Sequence, residues 1–459
     1  MDLASIRQTV ADTHRGRTWI VVNEVAAGTT ERVATLFDHG ASGVMVVAAS
    51  EGVGELPEPS RIHYTRSRAS TIMDGVRAFS QSIEHPSPAL VAAVESFDPS
   101  HEAMVLGQGL ARSSILADRP VYGARREAWT ALEDKMIADD LWDEATIARA
   151  RSVLVPPAMA ASVAPDFAST LGTVWVGDNR EGWHGGGSYV RWVRTPSDAE
   201  AATTWFSEHC DRLRVMPFLE GIPCSIHGFA TDDGVAVLLP MELFILRIVG
   251  QSAFFYARGA NYWTPSASLT DEMRHAARAV GEVLRKRYGY RGGFGIDGVA
   301  TSDGFRPTEL NPRLTIGHSI QALAADVPLV DMEPLVIAGD LTVRAAELED
   351  LIVPSVTGRR RGGMLFAVPG DHGHGETGFR FTDDGVDAVP IDVGDSAERD
   401  GELLMGPAGF GSVVIARFDP DRTPIGPSLA PRAPLLMALA RDLWGVDLPD
   451  TEAARDVAR

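Results

Sequence analysis

A chain of 459 residues is too long for one hydrophobic core and predicts three or more domains or subdomains. Its 45% apolar and 23% charged content is ordinary for a globular protein, while a net charge of −20 repels a phosphate backbone and argues against a nucleic-acid partner. Two cysteines, Cys210 and Cys224, with no signal peptide and no long apolar run, predict buried thiols in a cytoplasmic chain that has no membrane partner.

The apolar runs 18–23 (TWIVVN) and 43–48 (GVMVVA) flank a helical segment, TTERVATLF, which is βαβ patterning. The turn between them, NEVAAGTT, lacks GxGxxG, so an α/β domain without a dinucleotide of its own is expected. Helical patterns near 70–82 and 88–95 and strand-like 104–107 and 120–123 continue this domain to about residue 123. Glu95, Asp98 and His101 read as a polar loop in preference to a ligand site. Residues 126–148 have helical periodicity and carry Glu133-Asp134-Lys135. The chain has only two lysines, Lys135 and Lys286, and a lysine kept among so many arginines is a candidate for a compact charge against a phosphate. Lys286, in RKRYGY at a helix end, is explained by the helix dipole.

Residues 152–159 (SVLVPPAM) read as a strand ending in a proline pair, and 173–176 as another. Between 177 and 193 lies a glycine-rich loop, GDNREGWHGGGSYVRWV, with no Walker A pattern. Gly182, Gly185, Gly186 and Gly187 can bring backbone N–H groups close to phosphates; a mobile hairpin is the plainer reading. After a helix near 197–211, the run Met216-Pro217-Phe218-Leu219-Glu220-Gly221 breaks two strands. Such a hinge can hold a purine, with the Pro217 carbonyl accepting from the exocyclic amine and the Leu219 N–H donating to the ring. In 237–249, Glu242 and Arg247 fall on opposite faces of an unbroken strand, so only one can meet a ligand; Arg247 suits an anionic substrate, against a solvent-facing arginine. A helix over 271–288 leads into FGIDGVATSDGFRPTELNPR, and another follows from Leu314 to about Ala324.

That stretch, residues 294–313, reads as a hairpin turning at Ser302-Asp303-Gly304. A three-residue loop pairs Thr301 with Phe305 and Asp297 with Glu309, with Asn311 on the same face. A two-residue turn at Asp303-Gly304 puts the carboxylates on opposite faces instead. Carboxylates directly opposite repel, so the predicted arrangement calls for a hard divalent cation, and Mg²⁺ that keeps few protein ligands brings nucleotide phosphates with it. Arg313 adds a planar fork for phosphate or acyl phosphate. Beyond about 345, short strands rich in Gly, Pro and Asp predict a β-rich domain; Arg359-Arg360-Arg361 at its start reads as a carboxylate clamp or a solvated turn.

Lys135, the glycine loop, the Met216–Gly221 hinge and Asp297/Glu309/Asn311/Arg313, in this order, resemble the ATP-grasp superfamily. More narrowly, WTALEDKMIADDLW, VWVGDNREGWHGGG and VMPFLEGIPCSIHG look like the pheganomycin-type peptide ligases. The resemblance implies a multidomain chain of α/β and α+β class. A Rossmann-like domain over 1–124 would precede ATP-grasp subdomains over 125–220 and 221–345 and a β-rich C-terminal domain over 346–459. It implies ATP with Mg²⁺, or Mn²⁺ in its place, and a cytoplasmic carboxylate–amine ligase, with a small acid or amino-acid derivative and an amine or peptide as substrates. A role in natural-product biosynthesis follows from the same likeness, and a homodimer is one assembly it allows. In the family's terms Lys135, Gly182, Gly185, Gly186, Gly187 and Met216, Pro217, Phe218, Leu219 and Glu220 bind nucleotide, Asp297, Glu309 and Asn311 bind metal, and Arg313 and Arg247 are catalytic. Two departures stand out. Val176-Gly177-Asp178 replaces a second phosphate lysine, and Pro223 replaces a ribose-binding glutamate, whose work falls to Glu220. A bicarbonate-activating carboxylase and a regulatory protein without turnover are the alternatives.

Overall fold

The computed structural model describes residues 2–57, 62–65, 69, 71–107, 115–382, 385–392, 394 and 398–457. Strands β1 (Thr18–Val22), β2 (Gly43–Ala48), β3 (Ile62–Tyr64) and β4 (Met104–Gly107) form a parallel sheet in the order β3-β2-β1-β4, as the βαβ pattern required. The expected strand over 120–123 shrinks to the pairing of β5 (Ile115–Leu116) with β6 (Arg119–Pro120). Arg119 explains the polar loop. Its buried guanidinium donates to the Asp98 carboxylate at 2.9 Å and to Glu95 at 2.5 Å, so these acids tie the chain together.

A second, antiparallel sheet has the order β7-β10-β8-β9, from β7 (Val153–Val155), β8 (Thr173–Gly177), β9 (Val190–Val193) and β10 (Leu213–Pro217). The proline pair expected to end a longer strand instead starts the helix Pro157–Phe167, because proline at the first helical position gives up an N–H that has no partner there. The expected 126–148 helix is also broken. Asp134 is extended (φ −67°, ψ 119°) and its side chain accepts from the Met136 N–H at 3.0 Å, so the chain restarts at Lys135. That break turns Lys135 inward; only 4% of it is exposed.

The third sheet has twelve strands and carries the rest of the chain. Its path runs β16-β15-β11-β13-β14-β17-β21-β20-β18-β19. These are β11 (Ile222–Ala230), β13 (Met241–Ile248), β14 (Phe254–Ala260), β15 (Gly292–Thr301), β16 (Gly304–Asn311), β17 (Gly362–Pro369), β18 (Gly375–Phe381), β19 (Ala388–Ile391), β20 (Gly401–Ala408) and β21 (Gly411–Phe418). Off this path, β12 (Val235–Val237) pairs with β11 and β22 (Thr451–Glu452) with β13. The sheet crosses the expected boundary near 345 through the β14–β17 pairing. The helix Ala267–Tyr288, capped by Ser266 and by Gly289 in the left-handed region, packs Met273, Ala277 and Leu284 against Phe294 and Ile296 of β15. Both cysteines are buried and free. Among the described residues no helix is long and apolar enough to cross a membrane.

Glu242 on β13 departs from the cavity. It is fully buried and accepts from the Leu429 N–H at 2.9 Å, the Ala430 N–H at 3.3 Å and the Ser428 hydroxyl, anchoring the C-terminal segment. Burial raises its pKa from 4.5 to about 7. Since the unfolded chain gives up this proton near 4.5 and the folded protein near 7, its contribution is fully present below pH 4.5 and is lost as pH rises to 7. Glu242→Gln is expected to shrink the fall in stability between pH 4.5 and 7 by up to about 3 kcal/mol, read from denaturant unfolding at several pH values. An unchanged slope would assign the pH dependence to other groups.

Candidate active site

The hairpin keeps the predicted pairing by another route. Thr301 pairs with Gly304 across a two-residue turn at Ser302-Asp303, which corrects the expected three-residue loop. Carried through, that register would set Asp297 opposite Thr308 and throw Glu309 to the other face. A bulge between Asp297 and Gly298 restores it, and Asp297 stands opposite Glu309. The bulged Thr308 donates its hydroxyl to the Asp297 carbonyl at 3.2 Å. Gly304 takes φ +102°, where a Cβ would also meet the Glu272 carboxylate.

Both carboxylates open on a cavity of about 1380 Å³ that the three sheets enclose together. Lys135, Gly185, Gly186, Gly187, Met216, Pro217, Phe218, Leu219, Arg247, Asn311 and Arg313 line the same space. Lys135 Nζ lies 2.5 Å from Glu309 Oε1. Burial, then the charge of Glu309, raises the pKa of Asp297, against the pull of Ser225, Lys135 and Asn311. Two facing acids answered by one lysine are a donor set that a divalent cation fits. Asn311 is placed beside them but used differently: its amide N–H donates to Asp297 at 2.9 Å, and its oxygen accepts from Arg313 at 3.0 Å.

Glu133 passed unassigned in the sequence, and it organises this end of the cavity. It is 2% exposed and accepts from Arg125 at 2.9 Å, from the Trp183 indole at 3.0 Å and from Arg313. Burial, the largest effect, pushes its pKa up, yet Arg313, Arg125 and Lys135 together hold it at about 2. The guanidinium of Arg313 also lies 5.0 Å from the centre of the Trp183 ring. Its fork is therefore fixed by Glu133, Asn311 and Trp183 before any substrate enters.

At the hinge, Trp192 and Phe218 stack with centroids 4.6 Å apart, and Phe254 lies 6.2 Å from Trp192. The Leu219 N–H makes no hydrogen bond to any described residue. Gly221 permits the reversal; a Cβ there would sit 2.1 Å from the Ala300 carbonyl oxygen. Two expectations are corrected here. Gly182 closes a turn onto the Asn179 carbonyl at 2.8 Å and does not line the cavity. Glu220 is held by Arg247 and by the Arg455 N–H at 3.1 Å, so it is not brought to the cavity for a ribose. Arg247 lines the cavity at the hinge, where it pairs with Glu220 and lies 5.0 Å from the centre of the Phe218 ring. The bulge in the β13–β14 pairing lies on β14, so β13 stays unbroken and, as expected, Arg247 lines the cavity with Leu243 and Ile245 while Glu242 faces away. Arg359-Arg360-Arg361 is no clamp on this cavity: Arg360 donates to the Asn261 carbonyl at 2.7 Å, and the Arg361 N–H to the Asn261 side chain at 2.6 Å.

The N-terminal sheet contributes Glu24, which burial raises to about 7, and the helix Leu329–Ala338 contributes Glu333, raised likewise while it accepts from the Gly293 N–H at 2.9 Å. Neither carries a sequence signal, since each stands singly in an apolar segment.

No family model and no curated protein matches the chain. Among solved structures, biotin carboxylase of Campylobacter jejuni superposes with a TM-score of 0.53 at 11% identity, over 96% of this chain and 94% of that one. Pyruvate carboxylase of Rhizobium etli gives 0.52 at 14% identity, over 95% of this chain and 40% of that one. An L-amino acid ligase of Bacillus licheniformis gives 0.49 at 11% identity, over 88% and 94%. The first two establish a shared fold, of the mixed α/β multidomain class expected from the sequence.

Proposed function

We propose that this chain is an ATP-dependent carboxylate–amine ligase, forming an amide through an acyl phosphate and releasing ADP and phosphate. The observation that carries the reading is the Asp297–Glu309 pair, set face to face by a compensating bulge and opening on the cavity that the glycine loop and the aromatic hinge share. Asp297, Glu309 and, with its amide oxygen, Asn311 would hold Mg²⁺ or Mn²⁺, which supplies neutralisation of phosphate charge when bound. Lys135 and the N–H groups of Gly185, Gly186 and Gly187 would bind phosphates, and the cavity wall of Met216, Phe218, Leu219 and Phe254 would take the purine. Arg313, preset by Glu133, would face the acyl phosphate. The amine nitrogen then attacks the acyl carbon: the C–N bond forms, the C–O bond to phosphorus breaks, phosphate leaves with the electron pair, and the amine proton passes to solvent. A peptide ligase of the pheganomycin type, in natural-product biosynthesis, is the finer proposal and rests on the three segment likenesses.

Hydroxylamine tests the order of events. Supplied with ATP, Mg²⁺ and a panel of carboxylic acids but no other amine, the enzyme is expected to yield a hydroxamate and one ADP for each product. AMP and pyrophosphate in place of ADP would refute the acyl phosphate. ADP release that needs bicarbonate and no organic acid would establish the carboxylase alternative, which the fold shared with biotin carboxylase favours.

A further inference from the structure

One guanidinium in the cavity has no partner among the described residues. Arg32, Arg77, Arg125, Arg247 and Arg313 each face a carboxylate, and Arg191 donates to the Ser188 and Val190 carbonyls. Arg258 lines the same cavity and makes no hydrogen bond or ion pair with any described residue. Beside it stand the Tyr256 phenol, which burial keeps neutral, and another cation, Arg417. Arg258 is half-buried on the cavity wall with a like charge beside it, so an anion entering the cavity is the partner that fits it.

The backbone aims it there. Leu243 pairs with Gly259 and Ile245 with Tyr256, so Ala257 and Arg258 together oppose Phe244 in a bulge. Arg258 takes φ +71°, a left-handed conformation unfavourable for a residue with a Cβ. Tyr256 and Arg258 face the cavity while Ala257, between them, packs into the C-terminal core.

Position selects the ligand. Arg258 stands on β14, three strands across the sheet from Asp297 on β15, so their backbones lie about 14 Å apart. The anion it receives therefore lies away from the metal pair and is not the carboxylate under activation. In an α-amino acid the carboxylate is two bonds from the attacking nitrogen and survives the reaction. We propose that Arg258 binds the carboxylate of the amine co-substrate, which is thereby an α-amino acid; this rests on the ligase reading above.

Calorimetry on the full chain with ADP and Mg²⁺ tests it, with the twenty common amino acids and their carboxamides as probes. The wild type is expected to bind at least one amino acid tenfold or more tighter than its carboxamide. Arg258→Gly, which suits the left-handed backbone, is expected to bring that ratio within about twofold, and Arg258→Lys to keep part of it, with ADP affinity unchanged in both. The proposal fails if no amino acid binds, if Arg258→Gly keeps the tenfold preference, or if glutarate binds where amino acids do not, which would put Arg258 in the acid subsite. Loss of ADP binding by the wild type itself would sink the ligase reading and this proposal with it.

Discussion

Glu309→Gln is expected to lower ADP release by about 10³-fold, some 4 kcal/mol of transition-state stabilisation, while leaving the unfolding midpoint close to that of the wild type. The two effects separate for an electrostatic reason. Glutamine removes half of the negative charge set opposite Asp297 and so relieves the repulsion between the two acids. The buried Lys135 loses its closest partner, but Asp297 remains within reach of its charge. Folding is thus nearly neutral, whereas the cation site is left with one carboxylate. Titration with Mn²⁺, followed by electron paramagnetic resonance, is expected to show at least tenfold weaker binding in the variant. Turnover within tenfold of the wild type would remove Glu309 from the metal site.

Glu133→Leu is expected to be the most destabilising change at the cavity, at about 3–5 kcal/mol, together with a fall in turnover on the order of 10²-fold. Two guanidinium groups and an indole N–H converge on this single buried carboxylate, and removing it leaves Arg125 and Arg313 close together with their common counter-ion gone. Arg125 would keep the Pro312 carbonyl at 2.8 Å, and Arg313 the Asn311 oxygen. Denaturant unfolding and ADP release measure the two losses. Adding Arg125→Leu is expected to return roughly half of the lost stability, because it removes one uncompensated charge, while turnover stays low because Arg313 remains unanchored. A loss under about 1 kcal/mol in Glu133→Leu would show that water or substrate, and not Glu133, answers these arginines.

The Asp297–Glu309 pairing matches the register expected from the sequence, although the turn behind it does not. Asp297 does face Glu309, but the loop has two residues and a bulge makes up the difference. Bulges leave no mark in alternating patterns, so only the full register of β15 against β16 and β11 reveals one. Lys135 was singled out by rarity; its burial depends on Asp134 interrupting a periodicity that looked continuous. Glu220 and Arg247 were each read as facing a ligand. Their mutual ion pair joins residues 27 positions apart and could not be read from either segment.

Local chemistry in the sequence determined the parallel N-terminal sheet, the glycine loop, the hinge and the hairpin that carries Asp297 and Glu309, because periodicity, turn propensity and motif spacing act over a few residues and survive without tertiary context. Tertiary structure alone decided which charges were already spent. Glu133 neutralises Arg313, Glu242 turns to the C-terminal segment, and Arg258 is left open to the cavity. The reason is physical: the state of a charge depends on burial and on partners that folding brings from distant segments, and no local pattern carries that information.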